Sequence, residues 1–348
     1  MTRLWWGLAL LCVVVGLAAA SAIRSIESAL QQTLQIHEPG TTLVVEPGDS
    51  LNAVLARASK QGWLTDSRWL GLWARWQGVD RSLHVGEYAL DDTMTAQQLL
   101  MLLNAGAVLQ YQITIPEGLT LKQAIARLQQ HPALEHSVTG VDDPRLLALV
   151  APHASAEGWF LPETYAFTRG DSDFDILKRA YRLQSELLAE LWPLRSDMTE
   201  VTTPYEALTL ASLIERETSV AEERPIIAGV FNRRLRKGMR LQTDPSVIYG
   251  LGAGYDGNLT RRHLRDEDNP WNTYRISGLP PTPIALPGRD ALEAALQPAS
   301  GTSLYFVARG DGYHAFADTL EEHNANVRRY QYQRGPGYRS TPANNEAP

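Results

Sequence analysis

The chain opens with a long uninterrupted run of apolar residues, Leu4–Ile23. No charged side chain lies within it, and a helix of about 20 residues can cross the roughly 30 Å hydrocarbon core of a bilayer. Arg3 precedes the run, and Trp5 stands where the membrane interface would begin. A cleaved signal peptide is the alternative, because the small residues at 18–22 are typical of a cleavage site. Both interpretations place the remainder outside the cytoplasm, and we expect a retained anchor.

A strand–turn–helix pattern then occurs twice. Alternating apolar residues predict a strand at Thr42–Val45, which leads through a Pro-Gly turn to a helix that begins at Ser50. The second copy has a strand at Tyr111–Ile115, a Pro-Glu-Gly turn and a helix at Leu121–Leu128. Two copies indicate a duplicated element, since a solenoid needs at least three. The first copy resembles the small LysM module that binds cell-wall glycan; a packing motif without a ligand is the other interpretation.

Four tryptophans follow the first copy, and Trp69, Trp73 and Trp76 lie at helical spacing on one face. Such a stripe either stacks on sugars or packs into a core. We expect the core.

The next well-marked helix begins near residue 203. Thr203 is predicted to cap it, with Pro204 at the first helical position and Glu206 completing a capping box. Ser219 and Glu222 predict a second box and a further helix directly downstream.

Two glutamates lie near the end of the first of these helices. Apolar residues among 207–214 occupy most of one side, and Arg216 points away from them. Glu215 and Glu217 fall on opposite shoulders of the apolar stripe. A carboxyl group there is partly desolvated, and desolvation raises its pKa as a general acid near neutral pH requires. The pattern does not distinguish the two glutamates, and a solvated helix end without chemistry remains the alternative.

Composition removes several classes of function. The formal net charge is −7 and no long Lys/Arg run occurs, which argues against nucleic acid as a partner. Cys12 is the single cysteine, so no intrachain disulfide can form. The histidines lack the paired spacing of metal ligands. We expect neither a metal nor another cofactor.

Five ordered segments carry a family resemblance: IERETSVAEER, GMRLQTDPSVIYGLG, NTYRISGLPPTPIALPGRDALEAAL, LYFVARGDGYHAF and the pair His323-Asn324. They resemble the endolytic murein transglycosylases, the YceG-like membrane proteins, and the similarity extends over residues 40–330. The resemblance implies that the first glutamate of Glu-x-Glu-Thr, Glu215, is the catalytic acid and that Glu217 matches the second. It also implies non-hydrolytic cleavage of the β-1,4 bond between N-acetylmuramic acid and N-acetylglucosamine, which leaves a 1,6-anhydro end and terminates nascent strands.

The implied partners are peptidoglycan glycan strands, the inner membrane and the peptidoglycan synthases called penicillin-binding proteins. The implied location is a single-pass inner-membrane protein with its catalytic part in the periplasm. Seven downstream polar residues are candidates to hold sugars: Gln242, Thr243, Asp244, Tyr249, Asn272, Tyr274 and His314. Asp244 is also a candidate cap for the helix that Pro245 would open, and a lone histidine such as His314 is often structural.

Two other functions stay open. One is a non-catalytic, membrane-anchored scaffold that binds the wall and does not need Glu215. The other is a hydrolase with two carboxylates, Glu215 together with Glu217 or Asp244.

We therefore expect an α+β protein with a membrane helix, a small LysM-like, duplicated strand–helix domain and a larger mixed catalytic domain. The expected segments are a cytoplasmic N-terminus, a transmembrane helix, a linker, the duplicated region, the catalytic domain and a disordered tail, at 1–3, 4–23, 24–40, 41–157, 158–330 and 331–348.

Overall fold

The computed structural model describes residues 2–65, 67–79 and 83–332, which divide into two compact units. Unit 1 holds the described residues up to Gln112, together with Ala133–Glu135 and Ala166–Asp171. Unit 2 holds the remainder from Ile113 onward. The first strand–turn–helix copy lies in unit 1, whereas the helix of the second copy lies in unit 2. The duplicated region expected at 41–157 is therefore shared between the two units.

In its described residues, unit 1 combines four α-helices with one strand pair. In chain order its elements are α1 (Thr2–Gln31), β1 (Thr42–Val45), α2 (Leu51–Lys60), α3 (Ser67–Gln77), β2 (Gly86–Ala89) and α4 (Ala96–Ala105). Strands β1 and β2 pair antiparallel, with Thr42 opposite Ala89. The helix predicted to begin at Ser50 begins at Leu51. Ser50 is its N-cap and accepts a hydrogen bond from the backbone N–H of Ala53 (3.2 Å).

Helix α1 is longer than the predicted membrane span. Its segment Trp5–Gln31 is long and apolar enough to cross a membrane, a property that a signal sequence near an N-terminus shares. The helix continues to Gln31, where Ala29 and Leu30 are buried in the core of unit 1. The first part of the expected linker at 24–40 is thus helical and partly buried.

Two of the three stripe tryptophans, and Trp63 before them, belong to the core of unit 1. Trp63, Trp69 and Trp73 pack against the buried cluster of unit 1. Trp76 is 80% exposed, so the core prediction is wrong for this residue. Helix α3 turns Ala74 inward, and a residue two positions later lies on the opposite side of the helix.

From residue 111 onward, the described part of the chain is mainly helical and includes short paired strands. The elements from residue 111 onward are β3 (Tyr111–Thr114), α5 (Leu121–Leu128), α6 (Pro144–Leu149), β4 (Thr164–Phe167), α7 (Asp173–Leu191), α8 (Pro204–Glu217), α9 (Arg224–Arg236), α10 (Asp244–Leu251), α11 (Arg261–Arg265), α12 (Arg289–Leu296), β5 (Tyr305–Ala308), β6 (His314–Ala317) and α13 (Leu320–Val327). β3 pairs with β4, and β5 pairs antiparallel with β6. Helices beside short antiparallel strands agree with the α+β prediction.

The C-terminal segment extends past α13 as a short π-helix, Arg328–Tyr332. Its last two residues belong to the predicted disordered tail at 331–348, and the rest of that tail lies outside the described residues.

Helix α8 is the central helix of unit 2. All eight residues from Ala207 to Ile214 are buried, and α9, α10 and α12 pack against it. Its predicted capping box is confirmed: Thr203 Oγ1 accepts from the backbone N–H of Glu206 (3.2 Å), whose carboxylate accepts from the N–H of Thr203 (3.1 Å). A buried, capped helix holds its last turn, and hence its two glutamates, in a defined place.

The second predicted capping box, Ser219 with Glu222, is wrong. A 3₁₀ turn occupies Ala221–Glu223, and α9 begins directly after it without a side-chain cap. The Thr218 hydroxyl instead accepts the backbone N–H of Val220 (3.0 Å). This local bond orders the connection between α8 and α9 without a box.

Candidate active site

Glu215 lies in the last turn of α8 with its side chain only 5% exposed. Both carboxylate oxygens are engaged. Oε1 accepts from the guanidinium of Arg224 at the start of α9 (3.3 Å), and Oε2 accepts from the backbone N–H of Gly288, which precedes α12 (3.0 Å). Three elements that pack together therefore fix the position of one buried carboxyl group.

A second carboxylate reaches the same guanidinium from the Pro-Glu-Gly turn. Glu117 Oε2 lies 3.3 Å from Arg224 Nη2, the nitrogen that also contacts Glu215. The turn itself is held from both sides: Gly118 N donates to Leu286 O (3.0 Å) and Gly118 O accepts from Arg216 (3.0 Å).

A third carboxylate, Asp290 of α12, pairs with Arg224 Nη1 at 3.0 Å. Arg224 is 9% exposed, whereas Glu117 and Asp290 are 46% and 60% exposed. One buried guanidinium is thus shared by a buried carboxylate and two solvated ones. Gly288 admits this arrangement, because a Cβ atom there would overlap the Glu117 carboxylate.

The surroundings of Glu215 favour its protonated form. Burial raises the pKa of Glu215 above its ordinary value, and the nearby negative charge of Glu117 raises it further. The N–H of Gly288 and the charge of Arg224 oppose this rise without cancelling it. The group has the environment of a general acid.

Glu217 faces a different cluster, although it is only two residues away. Burial raises the pKa of Glu217 to about 7, while the Thr243 hydroxyl and His314 act in the opposite direction. Its Oε1 atom is buried and has no hydrogen-bond partner among the residues that the structure describes. Two residues that are two positions apart on a helix point to different sides, so the two carboxyl groups lie in different surroundings.

Several predicted sugar-binding residues gather on the Glu217 side. Asp244 accepts from the Tyr274 hydroxyl (2.6 Å). The negative charge of Asp244 raises the pKa of Glu217, and that of Glu217 raises the pKa of Tyr274. Gln242 is exposed, has a positive φ of 55° and accepts weakly from Arg234 (3.4 Å). These residues form a polar surface beside the end of α8.

The prediction that Asp244 caps a helix is wrong by one position. Thr243 is the N-cap of α10, with φ −105° and ψ 124°, and Asp244 is already helical. Thr243 is buried, and its backbone N–H donates to Thr273 Oγ1 (2.9 Å). The Asp244 carboxylate is free to bind Tyr274 because it does not cap the helix.

Two other candidates have structural partners. Tyr249 donates to the buried carboxyl of Glu157 (3.2 Å) and packs edge-on against Trp271. Asn272 is fully buried, and its amide donates to the backbone carbonyls of His263 and Asp266. The hydrogen bonds of Glu215 are made by Arg224 and Gly288, and those of Tyr249 and Asn272 account for their polarity.

His314, at the start of β6, forms a pair with Glu223. Its ring Nδ1 lies 2.7 Å from Glu223 Oε2, and its backbone N–H donates to Glu223 Oε1 (2.7 Å). Glu223 directly precedes α9 and holds the imidazole where it opposes the rise in the pKa of Glu217.

Sequence reasoning missed four residues of the site: Glu117, Arg224, Gly288 and Asp290. Each of them lay in a segment with a sequence signal. Glu117 is the central residue of the duplicated turn, Arg224 closes the segment IERETSVAEER, and Gly288 and Asp290 lie in NTYRISGLPPTPIALPGRDALEAAL. These signals do not predict that the residues meet, because the contacts join distant parts of the chain.

Within the described part of the chain, no group of three His, Cys, Asp or Glu side chains is arranged to hold a metal ion. The carboxylates around Glu215 converge on a guanidinium, which supplies the positive charge there.

Comparison with known proteins gives consistent results. A family model described as the YceG-like family matches residues 43–329. The endolytic murein transglycosylase of Bacillus subtilis (strain 168) is 29% identical over 328 residues, covering 89% of this chain and 88% of that one. The endolytic murein transglycosylase of Streptococcus pneumoniae serotype 2 (strain D39 / NCTC 7466) is 26% identical over 82% of this chain, and the match spans 57% of that longer protein. The 2.6 Å crystal structure of a yceG-like protein from Listeria monocytogenes is 27% identical, with a TM-score of 0.53, and covers 83% of this chain and 99% of its own.

Proposed function

This chain belongs to the YceG-like family, and we propose that it is an endolytic murein transglycosylase that cleaves peptidoglycan within its glycan strands. The observation that carries the proposal is Glu215: a 5% exposed carboxyl at the end of a buried helix, whose pKa is raised by burial and by Glu117. The relatives that bear this name match nearly the whole chain, in the Bacillus case over 88% of their own length.

The proposed reaction needs one carboxyl group acting twice. Protonated Glu215 gives its proton to the glycosidic oxygen as the bond from that oxygen to C1 of N-acetylmuramic acid breaks. The 6-hydroxyl of the same sugar then forms a bond to C1, and the Glu215 carboxylate takes the hydroxyl proton. The enzyme returns to its starting state and the product carries a 1,6-anhydro ring.

The internal hydroxyl group outcompetes water because it is held beside C1. Well-oriented intramolecular groups reach effective concentrations of about 10⁵–10⁸ M. The substrate's N-acetyl group can assist at the same carbon. A retaining hydrolase would instead use a second carboxylate about 5 Å from the first. Glu117, which shares Arg224 with Glu215, is one carboxylate on that side of α8.

We further propose that α1 is retained as a single-pass anchor and that units 1 and 2 lie in the periplasm. The apolar segment Trp5–Gln31 supports a membrane span, and a murein substrate requires that the site face the wall. Peptidoglycan synthases are the partners that a membrane-anchored enzyme on nascent strands would meet. Wall binding by the first strand–turn–helix copy belongs to the same proposal.

The test is product analysis with the full-length chain in detergent micelles and purified glycan strands. We expect fragments with anhydro ends from the wild type, and a loss of about 10²–10⁴-fold for Glu215→Gln, the range expected for general acid–base catalysis. Fragments that have gained one water would favour the two-carboxylate hydrolase. No cleavage at all by the wild type would favour the scaffold.

A further inference from the structure

The hydrogen bonds of Glu215 in the structure suit the carboxylate form that acts as the base, whereas the reaction begins with the protonated acid. A general acid must be protonated and must have one oxygen directed toward the leaving group. In the structure both oxygens accept hydrogen bonds, one of them from the permanently charged Arg224. This is the arrangement of a carboxylate, as needed after the proton has been given away.

Arg224 has other partners within reach. Its Nη2 contacts Glu117 and Glu215 at the same distance of 3.3 Å, and its Nη1 contacts Asp290 at 3.0 Å. A small rotation of the guanidinium can therefore release Glu215 and keep the other two ion pairs. Arg216, the neighbouring cation on α8, donates to the carbonyl of Gly118 and holds the turn instead.

The local charges decide where a proton resides. Three carboxylates face one guanidinium, so the cluster carries excess negative charge and favours binding one proton. Glu215 is 5% exposed, compared with 46% for Glu117 and 60% for Asp290. Because water stabilises the charges of the two exposed groups, ionisation is least favourable at Glu215, and the proton stays there.

We infer that Glu117 and Asp290 are positioning residues that draw Arg224 away from Glu215 in the acid half of the cycle and release it in the base half. The inference rests on the proposed transglycosylase function. While Arg224 pairs with Glu117 and Asp290, Glu215 keeps its proton and donates it to the glycosidic oxygen. The new carboxylate then attracts Arg224 until it accepts the 6-hydroxyl proton, and the guanidinium returns to its two solvated partners.

The inference makes a specific prediction for the pH dependence of the rate. Activity falls on the alkaline side when Glu215 loses its proton. Glu117→Gln removes a negative charge beside both Glu215 and Arg224, so Glu215 ionises more easily. We expect the alkaline limb of the kcat profile to move to lower pH by about one unit, a tenfold loss of rate at a fixed pH on that limb.

Two further variants separate charge from structure. Asp290→Asn is expected to move the limb in the same direction by less, because Asp290 is more exposed and pairs with Nη1 of Arg224, whereas Glu215 contacts Nη2. Glu117→Asp keeps the charge and is expected to restore the limb toward that of the wild type. Glu222→Gln, an exposed carboxylate on the turn before α9, is the matched control and should leave the profile unchanged.

The measurement uses the full-length chain in micelles, with folding of each variant checked by thermal unfolding. A Glu117→Gln profile that is lower at every pH but has an unmoved limb overturns the inference, as does a folded variant with no activity at any pH. If Glu117→Gln does not fold, the inference is overturned when Asp290→Asn leaves the alkaline limb of the kcat profile at the wild-type pH. Failure of the wild type to form anhydro ends would instead reject the proposed function.

Discussion

Glu215 and Glu217 are separated by a single arginine, but their carboxyl groups contact different neighbouring residues. Glu215 lies against Arg224, Gly288 and Glu117, whereas Glu217 faces the polar surface formed by α10 and its neighbours. The sequence pattern placed both on the shoulders of one apolar stripe and could not choose between them. The structure separates them by surroundings, and both have a raised pKa.

The role of Glu217 can be tested beside that of Glu215. Its pKa of about 7 means that Glu217 is largely protonated at pH 6, where glutamine imitates it well. We expect Glu217→Gln to keep its activity within several-fold at pH 6 while Glu215→Gln is nearly inactive, as measured by release of anhydro-ended fragments. Full activity in Glu215→Gln together with loss in Glu217→Gln would show that the acid is Glu217.

Glu157 gives a prediction about stability. Burial raises its pKa from 4.5 to about 7, although Leu121 N (2.8 Å) and the Tyr249 hydroxyl donate to it. A carboxyl whose pKa is raised by folding contributes stability that is complete below about pH 4.5 and is lost as the pH rises through about 7. Relative to Glu157→Gln, the wild type should therefore lose up to about 3 kcal/mol of unfolding free energy across this window.

Denaturant unfolding at several pH values measures this difference. Exposed Glu163→Gln is the control, and its stability should follow the wild type at each pH. If the Glu157→Gln and wild-type curves are parallel between pH 4.5 and pH 7, folding does not raise the pKa of Glu157.

At the scale of elements, local sequence signals were most informative where a helix or strand has its own start signal. The strand Thr42–Val45 and the helix Leu121–Leu128 match the predictions residue for residue. The box at Ser219 failed because the neighbouring Thr218 satisfied the local backbone instead. Gly288 and Glu117 each lie in a segment with a sequence signal, but no local pattern predicts that both meet Glu215 or its partner Arg224, since these contacts join distant parts of the chain.

The cap of α8 can be compared with an equivalent cap elsewhere in unit 2. Thr203→Ala removes one half of the capping box and should lower the free energy of unfolding by about 1 kcal/mol. The same box occurs at Thr319, where Glu322 N donates at 3.2 Å, but α13 has no buried residue. We expect a smaller loss for Thr319→Ala, because α13 can fray without unfolding the core. Urea unfolding curves measure both, and a larger loss at Thr319 would contradict the central place of α8.

At the scale of the whole molecule, the anchor proposal predicts the mass of the mature protein. A retained α1 leaves the full chain of 38.6 kDa in the membrane fraction, resistant to extraction with alkaline carbonate. Cleavage after the small residues at 18–22 would remove the apolar segment and yield a lighter, extractable protein. Intact-mass measurement of the purified native protein distinguishes the two results.

The uninterrupted length of α1 has a further consequence for such an anchor. A helix of 30 residues is about 45 Å long, while the hydrocarbon core that it crosses measures roughly 30 Å. If α1 is retained as proposed, the remaining third would leave the lipid as a helix whose end is buried in unit 1, through Ala29 and Leu30. Such an anchor would hold unit 1 at a short, fixed height above the lipid, nearer to glycan strands at the membrane surface than to the outer layers of the wall.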